Sequence, residues 1–408
     1  MRILHTADWH LGARLVERDR LPEHAVFLDW LIDTLRSERI DALLVSGDIF
    51  DAASPPQDAV ALYFDFIKRL ADLKTVRTVI TGGNHDSATH LNAPRALLRR
   101  FDVHVLGHAA SCAEAALDLG GAVVGAVPFL RERDLRRSAA AETATDAQTL
   151  VRSAIRSHYS AQLEACRAIA HARPVIAMGH LTVLGAAASD SERDIHIGNL
   201  GAISADVFAG FDYTALGHLH RPQNVAGFDA IRYSGSPIPL SFSEAGDAKS
   251  VVLIEIPNGR TAEPATTRSS KSNGDSPQRS SLCGVRLLPV PTTRLLIRAT
   301  ANRAMLAADL GAVPTGCWAE ITVKLDAPEP DLDRHVREAA GSRFEVLKVL
   351  VDLPAAQEPA WRHAGPALNE LQPRDVFREL LKERQIEDAE LVATFDQLLR
   401  ARETKTHM

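Results

Sequence analysis

Ala42-Leu43-Leu44-Val45-Ser46-Gly47-Asp48 is the stretch on which the reading of this chain turns. Four apolar residues without a polar interruption are what a strand covered on both faces presents to its neighbours. The run stops at Ser46-Gly47-Asp48, a glycine followed by a carboxylate. Upstream, Ile3-Leu4 opens a second run of this kind, which ends at Asp8. Between the two, Phe27, Leu28, Leu31, Ile32 and Leu35 recur at helical spacing. Downstream, Tyr63, Phe66, Ile67, Leu70 and Leu73 mark another helix, and a third strand over 76–80 stops at Gly82-Gly83-Asn84. This βαβαβ order, with its right-handed crossovers, implies a largely parallel α/β core. Further strands are predicted over 122–129, 175–178, 213–216 and 251–256.

The chain has 408 residues, 46% apolar and 24% charged, which describes two or three globular domains and excludes a collagenous, coiled-coil or disordered polymer. Its formal net charge of −6 argues against gripping nucleic acid through overall charge. Affinity of that kind comes from Lys and Arg neutralising phosphates, so it would need local basic patches or a basic partner. Cys112, Cys166, Cys283 and Cys317 are scattered and form no CxxC pair, so a reduced, cytoplasmic setting is expected. The approach to Asp8 leaves no room for the apolar core of a signal peptide, and no apolar run is long enough to span a bilayer.

Composition shifts divide the chain. Residues 1–258 form the first α/β domain, and a Ser/Thr/Pro/Gly-rich stretch over 259–284 reads as a flexible linker. Strands over 294–299, 317–325 and 344–353, with helices between them, make a small α/β module over 285–353. Over 354–408 a loose connector leads to two helices, whose apolar stripes include Phe377, Leu381, Phe395 and Leu399.

Five apolar runs are followed at once by polar residues: Asp8-Trp9-His10, Gly47-Asp48, Gly83-Asn84-His85-Asp86, Gly179-His180 and Gly217-His218-Leu219-His220. Ligand sites in α/β sheets gather at the carboxyl ends of strands, where side chains converge. Each cluster alone is an ordinary turn. Together they supply oxygen and nitrogen donors without a thiolate, a set suited to two divalent ions such as Mn²⁺, Fe²⁺ or Mg²⁺ rather than to a structural zinc.

The order D-x-H, G-D, G-N-H, G-H, G-H-x-H resembles the signature of the calcineurin-like metallophosphoesterase superfamily. Within it, Thr6-Ala7-Asp8-Trp9-His10-Leu11-Gly12, Ser46-Gly47-Asp48-Ile49-Phe50-Asp51, Gly83-Asn84-His85-Asp86-Ser87 and Leu216-Gly217-His218-Leu219-His220 resemble the SbcD family of bacterial nuclease subunits. So do Tyr233-Ser234-Gly235-Ser236-Pro237 and Ser241-Phe242-Ser243-Glu244, and the similarity extends over nearly the whole chain. The resemblance implies two central β-sheets flanked by helices, followed by a capping domain and a C-terminal helical hairpin. It implies one ion on Asp8, His10, Asp48 and His220, and another on Asp48, Asn84, His180 and His218, with Asp48 bridging and Mn²⁺ the leading candidate. His85 is then the non-ligating acid. Asp86 either orients His85 or caps its loop. A histidine found near the substrate in archaeal relatives is Asp51 here.

The activity implied is two-metal hydrolysis of DNA without a serine or cysteine nucleophile. It comprises ATP-dependent 3′→5′ exonuclease action on double strands and endonuclease action on single strands and hairpins, in repair, recombination and replication. The chain contains no Gly-Lys dipeptide and hence no P-loop, so ATP hydrolysis would fall to an SbcC-like ATPase partner. A homodimer of nuclease subunits within that complex is also implied. Arg95, Arg99, Arg131 and Arg133 read as phosphate contacts or as a solvated face. The terminal helices read as a partner surface or as a cover for the capping module. Two rival readings are a stand-alone phosphodiesterase for small nucleotides and a non-catalytic scaffold.

Overall fold

A computed structural model describes residues 1–135, 144–187, 202–225, 227–257 and 284–353, together with Phe377, Arg378, Leu380, Leu381, Leu391, Val392, Thr394 and Phe395. The stretch read as a linker lies outside the described residues apart from Gly284, as do Leu399 and the side chain of Arg133.

The opening βαβαβ unit forms as its pattern requires. Strand β1 (Arg2–Thr6) is followed by helix α1 (Leu21–Ser37), strand β2 (Ala42–Ser46), helix α2 (Gln57–Leu73) and strand β3 (Arg77–Thr81). Strand β4 (Val103–Leu106) extends the sheet, in which β1, β2, β3 and β4 run parallel. Alternation along the strands sends side chains to opposite faces. Leu43 and Val45 pack with Phe27, Leu31, Phe66 and Leu70 of the helices, while Ala42 and Leu44 face the other way.

That other face meets a second sheet. Its strands are β5 (Ala116–Asp118), β6 (Val123–Gly125), β7 (Val175–His180), β8 (Tyr213–Gly217), β9 (Gln223–Val225) and β10 (Phe228–Tyr233), in the order β9-β10-β8-β7-β6-β5. Ile3, Ala42, Leu44 and Val79 of the first sheet share one apolar layer with Val124, Ile176, Met178 and Ala215 of the second. Helix α3 (Ala144–Ala170) covers the far side of the second sheet through Ile155 and Tyr159. The architecture is therefore helix, sheet, sheet, helix, as expected. The strand expected over 122–129 is shorter. Beyond β6 the chain leaves the ladder, and the Phe129 N–H bonds to the Gly82 carbonyl of the first sheet at 2.8 Å.

Strand β11 (Ser250–Glu255) pairs antiparallel with β1, and β12 (Gly284–Pro289) pairs with β11. The sequence pattern assigns 285–289 to the capping module, but the first strand after 259–284 is the outer strand of the first sheet. The module's own sheet consists of β13 (Leu296–Asn302), β14 (Trp318–Lys324) and β15 (Glu345–Asp352), with helices α4 (Leu306–Gly311) and α5 (Leu332–Ala340).

Met1–Val323 with Asp331–Leu350 form one compact unit, and Lys324–Pro330 belongs to a second with the described residues from Val351 onward. Phe377 and Phe395 are stacked, with ring centroids 3.9 Å apart, so these two aromatics of the terminal segments cover each other. Leu381 is buried, whereas Leu380 and Leu391 are exposed. Among the described residues no helix is long and apolar enough to cross a membrane.

Candidate metal centre

The carboxyl ends of β1, β2, β3, β7 and β8 meet at one place, where both sheets open. Asp8 follows β1, Asp48 follows β2, Asn84 follows β3, His180 ends β7, and His218 and His220 follow β8. The loops are held by backbone bonds from Asp8 N–H to the Gly47 carbonyl and from His10 N–H to the Asp48 carbonyl, both 3.0 Å. Asp8, His10, Asp48 and His218 all have positive φ, at 53°, 48°, 49° and 101°. Such backbone costs on the order of 1–3 kcal/mol per residue and persists where surrounding structure dictates it, commonly at functional sites. Two glycines make the convergence possible. A Cβ at Gly83 would lie 2.1 Å from Asp48 Oδ1, and one at Gly217 would lie 1.9 Å from the Ser46 carbonyl oxygen.

Asp8, His10, Asp48, His180, His218 and His220 are all buried, and Asn84 is half-buried. Two fully buried groups of donor atoms lie within 4.8 Å of one another, Asp8, His10 and His220 in one, and Asp48, His180 and His218 in the other; a third such group, His10, Asp51 and His85, includes the half-buried Asp51. Asp48 Oδ2 stands between the groups, 3.2 Å from His180 Nε2 and 3.6 Å from His10 Nε2.

The donor set fits cations on two observations. Asp8 Oδ2 and His10 Nε2 are buried and make no hydrogen bond. Secondly, His180 donates Nδ1–H to the Ser46 carbonyl at 2.9 Å, so its Nε2 is the free pole of the neutral ring. That nitrogen faces Asn84 Oδ1 at 2.8 Å and Asp48 Oδ2 at 3.2 Å. A nitrogen aimed at two oxygens needs either a proton or a cation between them.

Without a cation, protons take that place. Burial alone would lower the His180 imidazole, but the Asp48 carboxylate outweighs it and lifts the group to about 9. Burial raises Asp8 to about 7, although the charge of His180 pulls it back. Burial works upward on Asp48 too, but His180 and His10 override it and hold that carboxyl well below its usual range. Cation uptake therefore displaces protons from His180 below about pH 9 and from Asp8 below about pH 7. Mn²⁺ affinity is expected to rise with pH through this range, with proton release visible by calorimetry in buffers of different ionisation enthalpy. Affinity that falls or stays level between pH 6 and 9 would contradict this.

Around the donors, His10, His220 and His85 are each held through ring Nδ1. His10 donates Nδ1–H to Asp51 Oδ1 at 3.1 Å, and His220 Nδ1 faces Glu244 Oε1 at 3.2 Å. His85 donates Nδ1–H to the Asp51 backbone carbonyl at 2.7 Å, which leaves Nε2 as the ring's other pole. Of the two roles considered for Asp86, the structure has the loop cap. Its carboxylate accepts N–H bonds from Gly83 (2.8 Å), Phe50 (3.0 Å) and Ile49 (3.1 Å), and Asp51 takes the place beside His85. Asp51 and Glu244 are the polar partners to which sequence reasoning gives no role. No spacing signals the first, because its bond to His85 comes from the main chain and its carboxylate meets His10 from 41 residues away.

The candidate phosphate contacts divide. Arg131 Nη2 donates to the Asp86 carbonyl at 2.7 Å and so braces the loop that carries His85. Arg95 and Arg99 are exposed and line a cavity of about 180 Å³ with His104 and Glu114, apart from the histidine cluster.

Residues 1–222 match the calcineurin-like phosphoesterase family, and residues 293–385 match the type 5 capsule protein repressor C-terminal domain. Over 402 residues, 96% of this chain and 95% of the relative, the sequence is 34% identical to the SbcD component of the SbcCD nuclease of Escherichia coli K12. It is 41% identical over 277 residues to the SbcD of Rhodobacter capsulatus, covering 64% of this chain and 67% of that one. For the SbcD of Bacillus subtilis the figures are 36% over 275 residues, covering 64% and 68%.

Proposed function

This chain belongs to the calcineurin-like phosphoesterases and, among them, to the SbcD nuclease subunits, and on that footing we propose that it hydrolyses DNA phosphodiesters at a two-cation site as the nuclease subunit of an SbcCD-type complex. The observation that carries this reading is the pair of buried donor groups on either side of Asp48 Oδ2. One ion would be held by Asp8, His10, Asp48 and His220, the other by Asp48, Asn84, His180 and His218. When bound, such ions supply positive charge that polarises a phosphodiester and lowers the pKa of a water. Mn²⁺ is the ion we propose, and Mg²⁺ and Fe²⁺ suit the same oxygen and nitrogen donors.

The chain's own residues do the rest. Asp48 keeps a negative charge between the two groups and would offset the repulsion of cations held there. Asp51 fixes His10 and His85 together, one through its carboxylate and the other through its carbonyl. His85, turned so that Nε2 is the working nitrogen, hands a proton to the departing sugar oxygen.

The activity we assign is 3′→5′ exonuclease action on double strands, driven by an SbcC-like ATPase in the cytoplasm, with endonuclease action on single strands and hairpins. Two such nuclease subunits would stand in one complex. The terminal segments, where Leu380 and Leu391 are exposed beside the stacked Phe377 and Phe395, would bind that ATPase.

One assay tests this function: the full chain and a chain ended after Leu353, each with and without an SbcC-type ATPase, on labelled hairpin DNA and on a generic phosphodiester. No proposed ligand lies beyond His220, so the shortened chain is expected to hydrolyse the generic diester at the full-length rate. It is expected to lose complex formation and all ATP-stimulated hairpin cutting. Hairpin DNA left uncut by the full complex, beside fast hydrolysis of small nucleotide diesters by the chain alone, would favour a stand-alone phosphodiesterase instead.

A further inference from the structure

Behind His220 lies a buried ion pair that the reaction as described does not use. Glu244 is 0% exposed and Lys249 8%. Lys249 Nζ donates to Glu244 Oε2 at 2.5 Å, to the His220 carbonyl at 2.8 Å and to Ser236 Oγ at 3.0 Å. Glu244 Oε2 also accepts from Ser236 Oγ at 3.2 Å and from the Leu240 N–H at 3.3 Å, while Oε1 faces His220 Nδ1 at 3.2 Å. Both side chains therefore bind the residue that ends the last polar cluster, one at its ring and the other at its carbonyl.

Burying two charges costs several kcal/mol per ion, and an apolar pair of similar volume often stabilises a fold as well or better. Stability alone is thus a poor account of this pair. Its geometry has a more specific consequence. A carboxylate can only accept, so His220 must carry its proton on Nδ1, and Nε2 becomes the lone-pair nitrogen. The 3₁₀ turn Phe242–Glu244 that supplies the carboxylate is itself fixed, because Phe242 is buried with Leu15, Leu296 and Trp318. Leu296 and Trp318 come from the capping module, so module and core together seat the turn.

We infer that Glu244, clamped by Lys249, is a positioning residue that sets the tautomer and ring direction of His220 and thereby tunes the Asp8–His10–His220 half of the site and not the other half. The inference rests on the reading of His220 as a ligand. Outer partners of a metal-binding histidine typically govern about 10–100-fold in metal affinity.

Two variants replace the buried charges by neutral groups of similar volume, and binding of Mn²⁺ alone to the full chain is measured by calorimetry, with thermal melting alongside. Glu244→Met with Lys249→Met removes the acceptor. It is expected to fold, to keep one Mn²⁺ equivalent at wild-type affinity and to weaken the other by about 10–100-fold. Glu244→Gln with Lys249→Met keeps an oxygen for the Nδ1–H and is expected to recover most of that loss. His220→Ala is the control, expected to lose one equivalent outright. Retention of both equivalents by His220→Ala would overturn the ligand reading, and the inference with it. Loss of one equivalent in His220→Ala beside unchanged binding in the Met variant would overturn the inference alone. A Met variant that weakens both equivalents in step with a lower melting temperature would mark the pair as structural, which overturns it as well.

Discussion

Asp48→Asn is expected to abolish metal-dependent DNA cleavage in a chain that still folds. The substitution changes no volume. The side-chain oxygen remains to accept the His85 N–H, which Asp48 Oδ1 takes at 2.8 Å, so the loop after β3 keeps its anchor. What disappears is the negative charge between the two donor groups, 3.2 Å from His180 and 3.6 Å from His10. Every other proposed ligand serves one ion, whereas this one serves both. Affinity at both positions is therefore expected to fall together, by more than the roughly 10–100-fold that an outer partner alone commands. Counting bound Mn²⁺ beside a nuclease assay checks this, and wild-type cleavage by the variant would sink the assignment.

His85→Asn separates chemistry from binding. The side chain sits with His10 and the half-buried Asp51, outside the two fully buried donor groups, and its Nδ1–H is committed to the Asp51 carbonyl. The anchor from its backbone N–H to Asp48 survives the change to Asn, so both cations are expected to stay. Losing a proton donor to the leaving oxygen costs about 10²–10⁴-fold in turnover. Metal analysis and turnover on the same preparation test both halves, and a variant that loses an ion would make His85 a ligand instead.

Much of this site is legible in the chain because its proposed ligands come from strand ends. A buried parallel strand is mostly apolar, so Asp48 just beyond the run over 42–45 and His180 just beyond that over 175–178 are marked by contrast. The helix–sheet–sheet–helix layering follows from the same runs. What the sequence does not expose are partners that meet across distance or through the main chain. Glu244 reaches His220 from 24 residues away through a turn with no periodic signal. Asp51 reaches His85 with a carbonyl that any residue would supply. The choice for Asp86 depends on which N–H groups its loop turns inward, and spacing does not encode that. Strand β12 escapes the sequence pattern because 259–284 hides the fact that the chain returns to the first sheet before the capping module starts. Strands β5 and β9, at three residues each, are too short to show alternation.

The central claim is that two cations share Asp48. Crystals of the full chain loaded with Mn²⁺, examined by anomalous diffraction at the manganese edge, address it directly. The account predicts two peaks about 3.5–4 Å apart, both in contact with Asp48, one also with Asp8, His10 and His220 and the other with Asn84, His180 and His218. A single peak in fully loaded crystals, or a second ion away from Asp48, would contradict it.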